Sequence, residues 1–139
     1  MAGSDATIDV QGPPGHAFEV WAAFREHARF LKGIRSVERR GDRLHVVGQL
    51  GLRTVAWDAD VVVEEAPWRI AWSAPDGPLD TEVTLEPLEE GTSTRVRVRQ
   101  RVHGAAPFGA AHLVLLRSRG DLKRYKAVVE GGTAVGMSW

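Results

Sequence analysis

Across residues 37–103, apolar side chains return at every second position in run after run, and only one later stretch is long enough to cover what those runs would build. Residues 53–64 set Val55, Trp57, Ala59, Val61 and Val63 against Thr54, Ala56, Asp58, Asp60 and Glu64, with Val62 out of phase. Residues 81–88 set Val83 and Leu85 against Glu82, Thr84 and Glu86. Residues 93–103 set Val96, Val98 and Val102 against Arg95, Arg97, Arg99 and Arg101, and Gln100 interrupts the apolar row. A period of two puts alternate side chains on opposite faces of a strand. Residues 37–39, 43–50 and 68–73 continue the pattern, with Ile70 and Trp72 on one face. Gly41-Asp42, Gly51, Pro67, Pro75-Asp76-Gly77-Pro78 and Glu89-Glu90-Gly91-Thr92 supply the turns. Links this short join antiparallel neighbours, and a sheet with one solvated face needs its other face covered.

The cover is residues 107–130. Ala111, Leu115, Ser118, Leu122, Tyr125 and Val129 follow one another at steps of four and three. That spacing predicts one face of an α-helix of about 20 residues, ~30 Å long. Pro107 suits its first turn and Gly131-Gly132 is a stop signal. Arg117, Lys123, Arg124 and Glu130 fall toward water. Ser118 and Tyr125 sit in the stripe, with His112, Arg119 and Lys126 on its shoulder. Polar groups there need partners or a partly wet cavity.

Ahead of the sheet, residues 7–10 alternate as a short strand, and Gly12-Pro13-Pro14-Gly15 ends it. Ala17, Val20, Trp21, Phe24 and Ala28 then have helical spacing, and Phe30, Leu31 and Ile34 predict a second short helix ending near Gly33. The whole chain, 1–139, reads as one domain, with 1–6 and 133–139 expected to be flexible.

Lysine plus arginine (18) equals aspartate plus glutamate (18), which argues against a general electrostatic grip on nucleic acid or anionic membrane. The arginine row of 95–101 is expected to meet Glu82 and Glu86 on the neighbouring strand, as ordinary cross-strand pairing. There is no cysteine, and His16, His27, His45, His103 and His112 lack close ligand spacing, so no metal or cofactor is expected. No apolar run approaches membrane-spanning length and the N-terminus lacks a signal pattern, so the expectation is a cytoplasmic protein without stable membrane insertion.

Four strings carry a family resemblance: IDVQGPPGHAFEVWAAF (8–24), VAWDADVVVEEAPWRIAWSAPDG (55–77), GTSTRVRV (91–98) and DLKRYKAVVE (121–130). Together with the element order they resemble the START-like (Bet v 1-like, SRPBCC) superfamily, in its bacterial polyketide cyclase/dehydrase branch. The string from Trp57 to Trp72 is the most specific. The resemblance implies an α+β helix-grip fold. In it a curved antiparallel sheet of about seven strands wraps round a long C-terminal helix, with two short helices after the first strand and a deep hydrophobic cavity between. Members bind lipids, hormones, quinones or polyketides. Some are aromatase/cyclases; others carry or sense a ligand.

The implied function is polyketide cyclase/aromatase-like: a hydrophobic poly-keto molecule bound inside, cyclised and dehydrated. The alternative is a non-catalytic carrier or sensor of a lipid-like ligand. Alternation and fold together place Trp21, Phe24, Phe30, Leu31, Ile34, Val55, Trp57, Ile70, Trp72, Val83, Leu85, Val96, Val98, Leu115, Ser118 and Leu122 around the cavity. Tyr125, Arg119 and Gln100 are the catalytic candidates. Tyr125 would donate a proton, Arg119 would polarise an enolate and Gln100 would hydrogen-bond the ligand. Each has a plainer reading: a core tyrosine bonded to backbone, a surface arginine, an amide satisfied by the helix. His112 is a further acid/base candidate or a surface histidine. A substrate delivered on an acyl carrier protein would add a transient partner, and the sequence leaves room for a homodimer.

Overall fold

The computed structural model describes residues 3–50, 52–77, 79–102 and 118–135. The elements in chain order are β1 (Gly3–Gln11), α1 (Pro14–Ala22), a 3₁₀ helix (Phe24–Arg29), β2 (Ile34–Arg40), β3 (Arg43–Leu50), β4 (Arg53–Glu65), β5 (Arg69–Ser73), β6 (Leu79–Leu88), β7 (Ser93–Val102) and α2 (Ser118–Val135). The strands form one sheet in the order β1-β7-β6-β5-β4-β3-β2, every pair antiparallel. This is the α+β helix-grip arrangement that the family resemblance implies, with the alternating strands forming the sheet.

Strands β2 to β7 pair with their sequence neighbours, as short links dictate. β1 alone departs, pairing with β7 from Gly3↔Arg101 to Gln11↔Ser93. β1 and β2 therefore lie at opposite edges of the sheet, and the chain between them must cross from one edge to the other. α1 and the 3₁₀ helix make that crossing, with Ala17, Phe18, Trp21, Phe24 and His27 buried beneath them. Pro14 sits in the first turn of α1, where its missing N–H has no intrahelical partner to lose.

Three local expectations need correction, and the irregular Val62 finds its cause. β1 starts at Gly3, not residue 7, because Ser4, Asp5 and Ala6 continue the ladder with β7 and Arg97 grips Asp5 at 2.8 and 2.5 Å. The second helix is 3₁₀ and ends at Arg29, before Gly33. α2 runs through Gly131-Gly132 to Val135, since glycine disfavours a helix by about 1 kcal/mol relative to alanine without forbidding it. Its expected start at Pro107 lies outside the described residues. Val62 is out of phase because the register shifts between Val61 and Val63. The extra residue of a β-bulge opposes nothing and turns outward, and Val62 is 59 % exposed.

The outer arginine row is paired, but mainly not with the expected carboxylates. Arg95 bonds Asp9 at 2.9 and 3.2 Å and Arg97 bonds Asp5, both on β1; Arg99 lies 3.5 Å from Glu82, which Arg69 also holds at 2.6 Å. These exposed pairs set strand register more than stability.

Described polar side chains of α2 have partners too. Arg124, expected in water, donates to the Phe30 carbonyl at 3.1 Å and pairs with Asp121, whose Oδ1 also accepts from the Lys32 N–H at 3.1 Å. Lys126 donates to the Asp9 carbonyl at 2.9 Å, and Glu130 accepts from the Gln11 N–H at 2.6 Å. His16 Nε2 lies 3.1 Å from the Val129 carbonyl oxygen. One end of α2 is thus tied to the segment after the 3₁₀ helix and the other to β1.

Candidate functional site

Between the sheet and the helical crossing lies a cavity of about 60 Å³. β2 to β7 supply Val37, Leu44, Val46, Trp57, Trp72, Leu79, Thr81, Val98 and Gln100. The crossing supplies Trp21, Phe24, His27, Leu31 and Gly33, the first residue of β2 supplies Ile34, and α2 supplies Asp121 and Leu122. The wall is mainly apolar and aromatic, with a few polar groups, as small-molecule sites usually are.

Of the predicted residues, Trp21, Phe24, Leu31, Ile34, Trp57, Trp72, Val98, Leu122 and Gln100 share this cavity. Phe30 and Val83 do not line it; both are fully buried in the packed core, as are Ile70 and Val96. Leu115 and His112, with the side chains of Ser118 and Arg119, lie outside the described residues. Trp57 is held by glycines on two sides. A Cβ at Gly48 would stand 3.0 Å from its ring and one at Gly77 2.9 Å, so the ring occupies the space their side chains would need.

Tyr125 is corrected from cavity group to core anchor. It is fully buried, is absent from the cavity wall, and its hydroxyl donates to the Ala17 carbonyl at 2.8 Å. Burial drives the phenol pKa upward; the nearby Trp21 indole opposes the rise, though its buried Nε1–H has no aligned acceptor. A phenol so placed ties α2 to α1. Tyr125→Phe is therefore expected to lower stability by about 1–3 kcal/mol while leaving ligand affinity unchanged. Weakened binding at unchanged stability, read by denaturation and titration together, would return the hydroxyl to the site.

His27 is the cavity residue that the α-helical reading passed over. It is 2 % exposed and ringed by Phe24, Trp72, Trp21 and Phe30, with ring centroids 4.9, 5.4, 5.5 and 5.5 Å away. Burial among these rings holds its pKa down to about 4, against a smaller opposing effect of the Trp21 carbonyl. Its Nε2 lies 2.7 Å from that oxygen. The signal was present: Trp21, Phe24, His27 and Phe30 recur at every third residue, the period at which 3₁₀ side chains eclipse. An α-helical period puts Ala28 on that face instead.

Gln100 Oε1 is buried with no hydrogen-bond partner, so the plainer reading, an amide oxygen satisfied by the helix, does not hold among the described residues. Asp121, also unforeseen, is clasped by Arg124 and the Lys32 N–H rather than left to the cavity.

A seven-stranded antiparallel sheet, a helical crossing over its inner face, a C-terminal helix and a cavity between them define the START-like, or Bet v 1-like, helix-grip fold. Solved structures agree. Over 92 % of this chain and 93 % of the other, it superposes on the ZhuI aromatase/cyclase from a Streptomyces species with a TM-score of 0.72 at 16 % identity. Over 91 % and 96 % it superposes on a START superfamily protein from Mycobacterium smegmatis, with a TM-score of 0.71 at 14 % identity. In sequence it is 25 % identical over 137 residues to an uncharacterized 17.2 kDa protein of Streptomyces lincolnensis, covering 94 % of this chain and 91 % of that one. No protein-family model matches the chain. Among the described residues no helix is long and apolar enough to cross a membrane.

Proposed function

We propose that this is a polyketide cyclase/aromatase-like protein, which takes a hydrophobic poly-keto molecule into the cavity and promotes ring closure and dehydration. The observation that carries the reading is the cavity itself, walled by Trp21, Phe24, Trp57 and Trp72 and carrying the amide of Gln100. Flat aromatic walls suit a substrate that becomes flat as it cyclises. Holding one fold of a flexible chain away from water makes ring closure effectively unimolecular. Gln100, and Arg119 on the first turn of α2, are the candidates for steadying enolate charge. A substrate carried on an acyl carrier protein would bring that protein as a transient partner.

At about 60 Å³ the cavity has room for a few waters and not for a drug-sized ligand. Entry therefore moves side chains. Leu31, Ile34 and Trp72 are half-buried members of the wall, and entry would displace them rather than Trp57, which is packed between Gly48 and Gly77.

The test is turnover. With a poly-β-ketone thioester, purified protein is expected to shift the product distribution toward a single cyclised, dehydrated product. Unchanged products at an unchanged rate would sink the cyclase reading. A second reading, a carrier or sensor of a hydrophobic ligand, is favoured by two details: the Tyr125 hydroxyl is bonded to Ala17 and Asp121 is clasped. That reading predicts a bound molecule in native mass spectra that is released chemically unaltered.

A further inference from the structure

Two cavity groups face the same deficit. The Trp21 carbonyl oxygen can only accept, so the His27 nitrogen 2.7 Å from it, Nε2, carries the proton. In the neutral ring Nδ1 then bears a lone pair, and it has no donor among the described residues. Gln100 Oε1 is a second acceptor without a donor, and it is buried. These groups reach the cavity from different elements, His27 from the 3₁₀ helix and Gln100 from β7. What these two groups lack is a hydrogen to accept, while the buried Trp21 Nε1–H of the same wall lacks an acceptor, which a hydroxyl oxygen can also supply.

We propose that His27 is a specificity-determining residue of the cavity, and that with Gln100 it selects a flat aromatic or enolic ligand bearing a hydroxyl group. This rests on the cavity being the ligand site and adds the functional group that it reads. The aromatic walls of Trp21, Phe24, Trp57 and Trp72 take the ring faces; the hydroxyl donates to an acceptor that is otherwise unpaired. Burial keeps His27 neutral down to about pH 4, so the lone pair is present throughout the neutral range. A protonated imidazole would offer a hydrogen where this one offers a lone pair. An analogue without the hydroxyl fills the same apolar space but leaves buried acceptors unsatisfied, which is how sites built around a hydroxyl reject its absence.

Three probes of one ring system separate the possibilities on the unaltered protein: naphthol, which donates, methoxynaphthalene, which only accepts, and naphthalene, which does neither. Calorimetric or fluorescence titration at neutral pH is expected to show naphthol binding at least about tenfold more tightly than either of the others. The preference is expected to collapse in His27→Leu and to shrink in Gln100→Leu, with folding checked by circular dichroism. If His27→Leu does not fold, the probe series and Gln100→Leu decide the matter. A preference under tenfold in the unaltered protein overturns the inference but leaves the cavity reading standing, as does a preference that survives in the folded variants. Binding of none of the three overturns both.

Discussion

Trp21→Ala is expected to remove about 3–5 kcal/mol of stability, a large part of what a domain of this size possesses. The indole is 1 % exposed and stands where the helical crossing, the sheet and α2 meet. Its ring meets Phe30 edge-on at 5.1 Å and His27 edge-on at 5.5 Å, and lies tilted over Tyr125 at 5.0 Å and Trp72 at 6.1 Å. Truncation forfeits the transfer energy of the largest buried side chain and leaves a void that opens into the existing cavity. Four large neighbours cannot all collapse into that void without leaving their rotamers, so little of the loss is recovered. On thermal unfolding the loss corresponds to a shift on the order of 10 °C. Trp68→Ala is the matched control. That side chain is 50 % exposed at the β4–β5 turn and its removal should cost less than about 1 kcal/mol. Equal losses in the two variants would mean that Trp21 is not the packed centre described above.

What the sequence made legible follows from which interactions are local. Strands β4, β6 and β7 declared themselves because one face of each is wet, and a half-wet strand must alternate. β1 was under-read because its partner, β7, lies more than eighty residues away, and no local pattern announces such a pairing. The same gap misdirected the arginine row: Glu82 and Glu86 were the visible carboxylates, while Asp5 and Asp9 became partners only once β1 lay beside β7. Trp57, Trp72 and Val98 are placed at the cavity by phase together with the fold that the family resemblance implies, and they line it. Val83 has the same phase but lies in solid core, because alternation tells which face a residue occupies and not how far along that face the cavity extends. Tyr125 shows the same boundary. Its place on the buried stripe of α2 was readable at steps of three and four. The direction of its hydroxyl, toward the Ala17 carbonyl, depends on where α1 comes to rest. His27 was hidden by an error of period: the aromatic face recurs at three, and the reading used 3.6.

That histidine should also govern the protein's response to mild acid. Folded, His27 titrates at about 4; unfolded, at its ordinary value near 6.5. Between these values the unfolded chain holds a proton that the folded one refuses, so the unfolded state binds more protons and stability rises with pH. The contribution is complete above about pH 6.5, falls as pH drops through the window, and is lost by about pH 4, where the folded ring also protonates. The full span of about 2.5 pH units amounts to roughly 3 kcal/mol. Carboxylates with lowered pKa values, Glu130 among them, enter only at the low-pH end of this window, where their unfolded forms begin to protonate, and they do so equally in the variant. The Arg97, Arg95 and Arg39 guanidiniums hold Asp5, Asp9 and Glu64 below their ordinary pKa values, so the stability these acids supply is lost only as pH falls below about 4 to 4.5. Urea unfolding at pH 7.5, 6, 5 and 4.5 is thus expected to show a steady decline that is largely abolished in His27→Gln. Glutamine's side-chain amide can still donate to the Trp21 carbonyl but takes up no proton in this range. A wild-type decline that persists unchanged in folded His27→Gln would place the acid sensitivity elsewhere. It would also remove the ground for treating His27 as a permanently neutral member of the cavity.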